Sequence, residues 1–193
     1  MVSAAAAPVL MVAGWTVAAG LQPRPVDPVA ETVSALAAVG ATDRWVMTLT
    51  FVLVGVCDLL TGLALRPAGA PGRLILMAGA VAGMLVAANP EHPGTSFPVP
   101  HMICAAAGCA GVVAWPAGAV AALLALAAWF GVELITYGGQ AGLAERLFGA
   151  AQALWPLTVV ASCRYAARKN TGATPNQQGA YALAPARPLS RSD

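Results

Sequence analysis

Six long apolar runs, separated by short polar segments, constrain this chain more than any other feature of its sequence. They cover residues 4–21, 45–65, 74–88, 99–113, 119–135 and 147–165. A helix of about 20 residues crosses the roughly 30 Å of bilayer hydrocarbon, where only helices and closed barrels satisfy the backbone. The runs are continuous and rich in Ala and Leu, without the alternation of a barrel strand. They therefore predict an all-α, multi-pass bundle of six transmembrane helices, with flanking residues lengthening the short third and fourth runs.

The composition excludes a water-soluble globule and a nucleic-acid partner. Hydrophobic residues make up 59% of the chain and charged residues 9%, whereas a soluble domain carries roughly a quarter of its residues as Asp, Glu, Lys and Arg. The formal charge is +2, and the basic residues do not form the stripe that a phosphate backbone requires. We expect membrane lipid, not nucleic acid, to surround the chain.

The basic residues predict the orientation of the bundle. With the N-terminus in the cytoplasm, seven of the ten fall inside: Arg66, Arg73, Arg164, Arg168, Lys169, Arg187 and Arg191. The outer segments hold Arg24, Arg44 and Arg146. Because cytoplasmic segments carry an excess of Lys and Arg, we expect a cell-membrane protein with both termini in the cytoplasm.

A change of composition divides the chain. Residues 1–168 form the predicted six-helix membrane domain, whereas residues 169–193 are mostly Asn, Gln, Gly, Pro, Thr and Ser with scattered Arg. Such a segment buries too little apolar surface to offset chain entropy. We expect it to be a disordered cytoplasmic tail.

The first outer segment has the pattern of a short interfacial helix between helices one and two. Asp27 can cap it, Pro28 suits its first position, and Gly40 suits its end. Val33 and Leu36 recur at helical spacing on one face. We expect that face to lie against the acyl boundary, with polar residues towards the headgroups or the mouth of the bundle.

Asp58 is the deepest polar residue of the predicted bundle. Thirteen residues after Trp45, at 1.5 Å each, place it roughly 20 Å into the membrane. Gly55, Thr61 and Gly62 share its helical face, which is therefore expected to turn towards the bundle. Acids at this depth are candidates for function by default, although a hydrogen bond between helices would also explain this one.

A second candidate site lies near the outer surface. His101 begins the fourth helix and Glu133 lies near the outer end of the fifth, so the two are expected to meet beneath the interfacial helix. Asp58, Glu133 and His101 are the catalytic candidates, and the predicted ligand-binding set is Glu31, Ser34, Arg44, His101, Glu133, Tyr137 and Arg146. A capped histidine at the water boundary is the simpler interpretation of His101. His92 and His101 have no metal-ligand spacing, and we expect neither a metal nor a cofactor.

Gly79 and Gly83 form a small-xxx-small pair on the third helix. Such a pair lets another helix approach closely. It predicts either packing inside the bundle or a homodimer through these two glycines.

The motifs also resemble a bacterial membrane family, domain of unknown function 998. The likeness lies in Asp27-Pro28, Thr32-Val33-Ser34-Ala35-Leu36, Gly40, Arg44-Trp45, His101, Gly142-Leu143-Ala144-Glu145-Arg146 and Leu154-Trp155. It spans residues 21–165. The resemblance implies a multi-pass membrane protein without an assigned reaction. Val33 and Ala35 stand where the family pattern has Ile and an acidic residue, a role that Glu31 would have to supply.

Three functions fit these observations. The first is binding of a lipid-like or small hydrophobic molecule, or a partner helix, in an outer-leaflet vestibule. The second is an intramembrane enzyme in which a protonated Asp58 or Glu133 gives a proton to an apolar, isoprenoid-like substrate. The third is a small transporter or proton-coupled carrier using the same carboxyl groups. The sequence leaves open whether the chain is an enzyme.

Overall fold

The computed structural model describes residues 1–92, 99–113 and 120–171 of the 193. Within these residues the fold is all-helical: α1 (Val2–Gly20), α2 (Trp45–Ala64), α3 (Gly69–Ala88), α4 (Val99–Val113), α5 (Val120–Thr136) and α6 (Ala141–Thr171). Single 3₁₀ turns lie at Ser34–Ala37 and Arg66–Ala68. The predicted six-helix membrane bundle is confirmed. The short third run gains its missing length at its start, where α3 already begins at Gly69.

The lengths and compositions of the helices fit a bilayer. α1, α2 and α3 have 19, 20 and 20 residues and are apolar enough to cross a membrane, while residues 99–111 and 121–136 form shorter apolar helices. At 1.5 Å per residue the first three helices reach about 30 Å, the thickness of the hydrocarbon.

The faces of α2 are reversed relative to a helix in a soluble protein. Leu60 and Leu63 expose about half of their surface (52% and 53%). Thr50, Asp58 and Thr61 are buried on the other side. Since water would drive the leucines inwards and the polar groups outwards, this arrangement requires lipid around the bundle.

Successive helices pack on each other: α1 on α2, α2 on α3 and α3 on α4. α3 and α4 approach through glycines, because a Cβ added to Gly79 would lie 3.2 Å from the Gly108 carbonyl oxygen and from the Gly111 Cα. In turn, a Cβ on Gly108 would lie 3.2 Å from the Gly83 amide nitrogen. Gly79 thus serves close packing inside the bundle, the first of the two predicted roles, whereas a Cβ on Gly83 would meet no atom within 4 Å. The homodimer stays a prediction.

The connecting segments meet at two ends of the bundle. One end of the bundle, which we call the loop end, carries segments 21–44, 89–92 and 137–140. α1, α3 and α5 end there, and α2, α4 and α6 begin there. At the opposite end, Ser3 Oγ lies 2.9 Å from Thr61 Oγ1. Arg73 there donates to the carbonyl oxygens of Gly62 and Leu63 at 2.7 and 3.0 Å.

The chain divides into two compact units, residues 1–160 and 161–193. The first holds α1 to α5 and most of α6. In the second, the described residues 161–171 are helical, with Arg168 and Lys169 in the last turn. The predicted disordered tail begins in that helix, and from residue 172 onwards it lies outside the described residues.

Candidate functional site

A cavity of about 160 Å³ lies inside the first unit, between α1, α2, α3, α4 and the start of α6. Most of its wall is apolar, formed by residues such as Met11, Phe51 and Val86. Glycines of α2, α3 and α4 provide its space: Gly55, Gly79, Gly83 and Gly108. A Cβ on Gly83 would meet no atom within 4 Å, so the cavity persists because this position lacks a side chain.

Asp58 lines the cavity from α2 and is itself buried, with 7% of its surface exposed. Its Oδ1 atom has no hydrogen-bond partner among the described residues. The neighbouring Thr61 hydroxyl is already engaged, because it donates to the Cys57 carbonyl oxygen at 2.8 Å. Leaving a buried carboxyl oxygen without a hydrogen-bond partner costs free energy. No structural hydrogen bond of this oxygen within the described residues explains Asp58, which makes the residue a candidate functional group.

Glu145 lines the same cavity at the loop end, but its carboxylate is fully engaged. It accepts hydrogen bonds from the backbone amides of Val33 and Ser34 and, at 2.9 Å, from the Ser34 hydroxyl. These amides begin the 3₁₀ turn Ser34–Ala37 and have no acceptor within it. Glu145 therefore caps this turn from another helix, and Ser34, which also lines the cavity, is held in place.

Arg146 holds the preceding part of the same segment. Its Nη1 atom donates to the carbonyl oxygens of Pro28 and Glu31 at 2.8 and 2.7 Å. The Leu143 amide donates to the Val29 carbonyl oxygen at 2.9 Å. Glu145, Arg146 and Leu143 together fasten residues 28–34 to the first turns of α6, and we call this arrangement the α6 clamp.

Gly142 allows the α6 clamp to close. A Cβ at this position would overlap the carbonyl oxygen of Glu31. Any larger residue would push residues 28–34 away from α6, so the glycine is needed for close approach of two backbones.

The clamp also explains why the predicted interfacial helix is only one 3₁₀ turn long. Asp27 caps only the turn that follows it, since its Oδ1 accepts from the Val29 amide at 2.8 Å. The carbonyl groups of Pro28, Val29 and Glu31 bond to α6 instead of to a following helical turn. The 3₁₀ turn ends at Ala37, before the predicted stop at Gly40, which takes a left-handed φ of 94°.

Glu31 forms an exposed ion pair that closes the loop on itself. Arg24 donates to both Glu31 oxygens at 2.7 and 2.6 Å, and the Asp27 amide donates to one of them at 2.8 Å. The hydrogen bond from Arg24, followed by that from Asp27, lowers the pKa of Glu31 to about 2. The same bond raises the pKa of Arg24. This pair shapes the loop, and neither residue lines the cavity.

His101 is buried at the loop end, with 5% of its surface exposed. Its Nδ1 lies 2.8 Å from the Asn89 carbonyl oxygen and must donate there, because a carbonyl only accepts. Its Nε2 lies 3.4 Å from Glu91 Oε1. The Glu91 carbonyl oxygen accepts from the Val39 amide at 2.8 Å. The backbone at Glu91 therefore holds the second half of the 21–44 segment, the half that the α6 clamp does not reach.

Glu133 has a separate setting near the end of α5, where its carboxylate binds the turn that leads to α6. Its Oε1 accepts from the Trp129 indole nitrogen at 3.3 Å, and its Oε2 accepts from the Gln140 amide at 2.9 Å. Tyr137, in that turn, is 74% exposed. The structure thus gives His101 and Glu133 different partners and does not join them in the predicted pair.

The predicted residues therefore divide by position. Ser34 and Asp58 line the cavity; Arg146 belongs to the α6 clamp, Glu31 to the loop, and Arg44 precedes α2. The sequence does not predict Glu145 as a site residue, although it belongs to the Gly142–Arg146 motif. Its partners, Val33 and Ser34, lie more than a hundred residues earlier in the chain, and no local pattern reveals them.

Cys109 is a further lining residue that the sequence did not single out. Its thiol lies 3.7 Å from Gln152 Oε1, and Gln152 Nε2 donates to the Cys109 carbonyl oxygen at 3.4 Å. Among the described residues, no three or more His, Cys, Asp or Glu side chains are grouped as metal ligands.

A family model described as "Protein of unknown function (DUF998)" matches residues 5–162. The chain belongs to this family. No match was found among curated proteins or solved structures. The resemblance is thereby confirmed over nearly the whole helical part. In this DUF998 member, Asp27, Ser34, Gly142, Glu145 and Arg146, which carried the resemblance, all take part in the α6 clamp or in the loop that it holds.

Proposed function

We propose that this chain is a membrane-embedded binding protein for a small hydrophobic molecule, held in the cavity between α1, α2, α3 and α4. The observation that carries the proposal is the cavity itself, whose mostly apolar wall includes the buried Asp58 carboxyl, one oxygen of which has no partner among the described residues. Ligand sites typically combine apolar walls with a few polar groups that orient the ligand. His101 and Glu133 of the predicted vestibule do not line this cavity, and Ser34 of the 21–44 segment borders it at the loop end.

The orientation belongs to the same proposal. Arg66 and Arg73 lie at the end opposite the loop end, and five more of the ten basic residues follow residue 160 in the sequence. In the proposed orientation the end that carries Arg66 and Arg73 faces the cytoplasm of the cell membrane. The loop end then faces outwards, and a ligand reaches the cavity from the outer leaflet. Reporter fusions at residue 1 and after residue 171 test this: both must report from the cytoplasm, and opposite sides would overturn it.

The test of binding is extraction of the purified protein followed by mass spectrometry. Gly83→Leu is the informative variant, because its side chain would fill the cavity from a position with open space. Gly131→Leu is the matched control: a helical glycine of α5, also without an atom within 4 Å of its Cβ, that does not line the cavity. A small molecule should co-purify with wild type and Gly131→Leu and be lost from Gly83→Leu. Equal recovery from all three, or none from wild type, would contradict the proposal.

A second candidate function is favoured by the same unpartnered acid. An acid shielded from water suits proton donation to an apolar substrate, as the isoprenoid-directed enzyme requires. Asp58→Asn separates the two functions. A binding protein keeps its ligand in this variant, whereas an enzyme retains unconverted substrate in place of product.

A further inference from the structure

We infer that the ligand of the cavity is a neutral molecule of roughly seven to ten non-hydrogen atoms with a single hydroxyl group, which donates a hydrogen bond to Asp58. This inference rests on the proposed function and deepens it by naming the chemical class. It is carried by the size of the cavity and by the accounting of its polar groups.

The volume sets the size. Apolar cavities of about 150 Å³ accommodate a molecule such as benzene, whereas sites for drug-sized ligands measure roughly 300–1,000 Å³. At about 160 Å³, this cavity has room for one ring or a short branched chain. A complete phospholipid or a long-chain quinone would leave most of its length outside the cavity.

The polar groups set the number of contacts. Four side chains with hydrogen-bonding atoms line the cavity: Ser34, Asp58, Cys109 and Glu145. Ser34 and Glu145 bond to each other, and the Cys109 thiol lies against Gln152. The Asp58 carboxyl is the remaining polar group among these described side chains, since its Oδ1 has no hydrogen-bond partner. In its neutral form a carboxyl offers one carbonyl acceptor and one hydroxyl donor. A single hydroxyl group on the ligand matches both, and the ligand must be apolar elsewhere.

The charges favour a neutral ligand. No basic side chain lines the cavity among the described residues, so an ionised Asp58 would be an uncompensated charge in a low-dielectric interior. The acid is stable there in its neutral form. An anion would have to leave water without a cationic partner, and an alcohol or phenol loses little on entry.

Toluene and phenol test the inference because they have the same size and differ in one methyl or hydroxyl group. Saturation-transfer NMR on the protein in deuterated detergent measures their affinities, and Gly83→Leu gives the contribution of the micelle, which is subtracted. We expect phenol to bind wild type about three- to tenfold more tightly than toluene, as one hydrogen bond provides. Asp58→Leu should abolish this preference, whereas Asp58→Asn, which keeps an acceptor oxygen, should retain it.

The other outcomes are equally decisive. Equal affinities for toluene and phenol would leave the proposed function standing but overturn the inference that the ligand carries a hydroxyl group. Tighter binding of benzylamine than of phenol would show that the ligand is a cation and not a neutral molecule. A phenylphenol bound as tightly as phenol would overturn the size limit. Absence of any binding that Gly83→Leu removes would overturn the proposed function itself.

Discussion

Two carboxyl groups line one cavity, and they differ in their hydrogen bonds. At the loop end, Glu145 receives three hydrogen bonds and fastens the 21–44 segment. Deeper in the bundle, Asp58 Oδ1 receives none from the described residues. The comparison teaches that two buried acids in one membrane protein can differ in role: the satisfied one holds the fold together, and in the proposed function the unsatisfied one is left for a ligand or a proton.

Glu145→Ala removes the satisfied acid of this comparison and is expected to have the largest effect on stability. The amides of Val33 and Ser34 and the Ser34 hydroxyl would lose their acceptor, and Val33 is almost fully buried. Stranded donors of this kind destabilise by about 1–3 kcal/mol each, with partial relief from water. We expect the free energy of unfolding, from titration with SDS in mixed micelles, to fall by about 2–3 kcal/mol.

Glu145→Gln is the matched control, because its carbonyl oxygen keeps one acceptor in place. It should lose less than half as much stability as Glu145→Ala. If Glu145→Ala unfolds within about 0.5 kcal/mol of wild type, the α6 clamp does not stabilise the fold and the contrast with Asp58 disappears.

Asp58→Leu sharpens the comparison because its effect has the opposite sign. Replacing an unpartnered buried carboxyl by an apolar side chain removes a desolvation cost, and the adjacent cavity has space for the larger group. We expect the ligand-free protein to gain about 1 kcal/mol in the same unfolding titration. A loss comparable to that of Glu145→Ala would mean that Asp58 is a structural acid after all.

The smallest effect concerns Glu31, whose ion pair lies on the surface of the loop. Because its pKa falls from 4.5 to about 2 on folding, its contribution to stability is present above about pH 4.5 and is lost as the pH falls towards 2. Solvent screens an exposed pair, so the change is slight. Thermal midpoints measured across this interval should fall less in Glu31→Gln than in wild type, and identical slopes would show that the pair contributes nothing.

Hydropathy predicted the helices well because the bilayer leaves the backbone so few alternatives. The start and end of α4 and the start of α2 match the predicted runs. The 21–44 segment was harder: Asp27 caps a turn, but the helix is reduced to Ser34–Ala37 and ends before Gly40. The groups that shorten it belong to α6, more than a hundred residues away, and local spacing carries no record of such partners.

The candidate site shows the same division. The depth of Asp58 and its inward face follow from its position in α2 and from its small neighbours. That its Oδ1 lacks a partner depends on which side chains of α1, α3 and α4 surround it, and no pattern within one helix reveals this. The pairing of His101 with Glu133 was inferred from shared depth alone. α4 and α5 do contact each other, but shared depth does not specify which side chains meet.

The α6 clamp also has a consequence for biosynthesis. Arg146 binds a carbonyl group 118 positions earlier in the chain, so the residues that border the cavity at the loop end stay unfastened until the final helix has left the ribosome. The pocket is therefore completed last, after the other five helices have been inserted into the bilayer. A truncated product lacking α6 would keep its first five helices but lack the Glu145 side of the cavity and the whole α6 clamp.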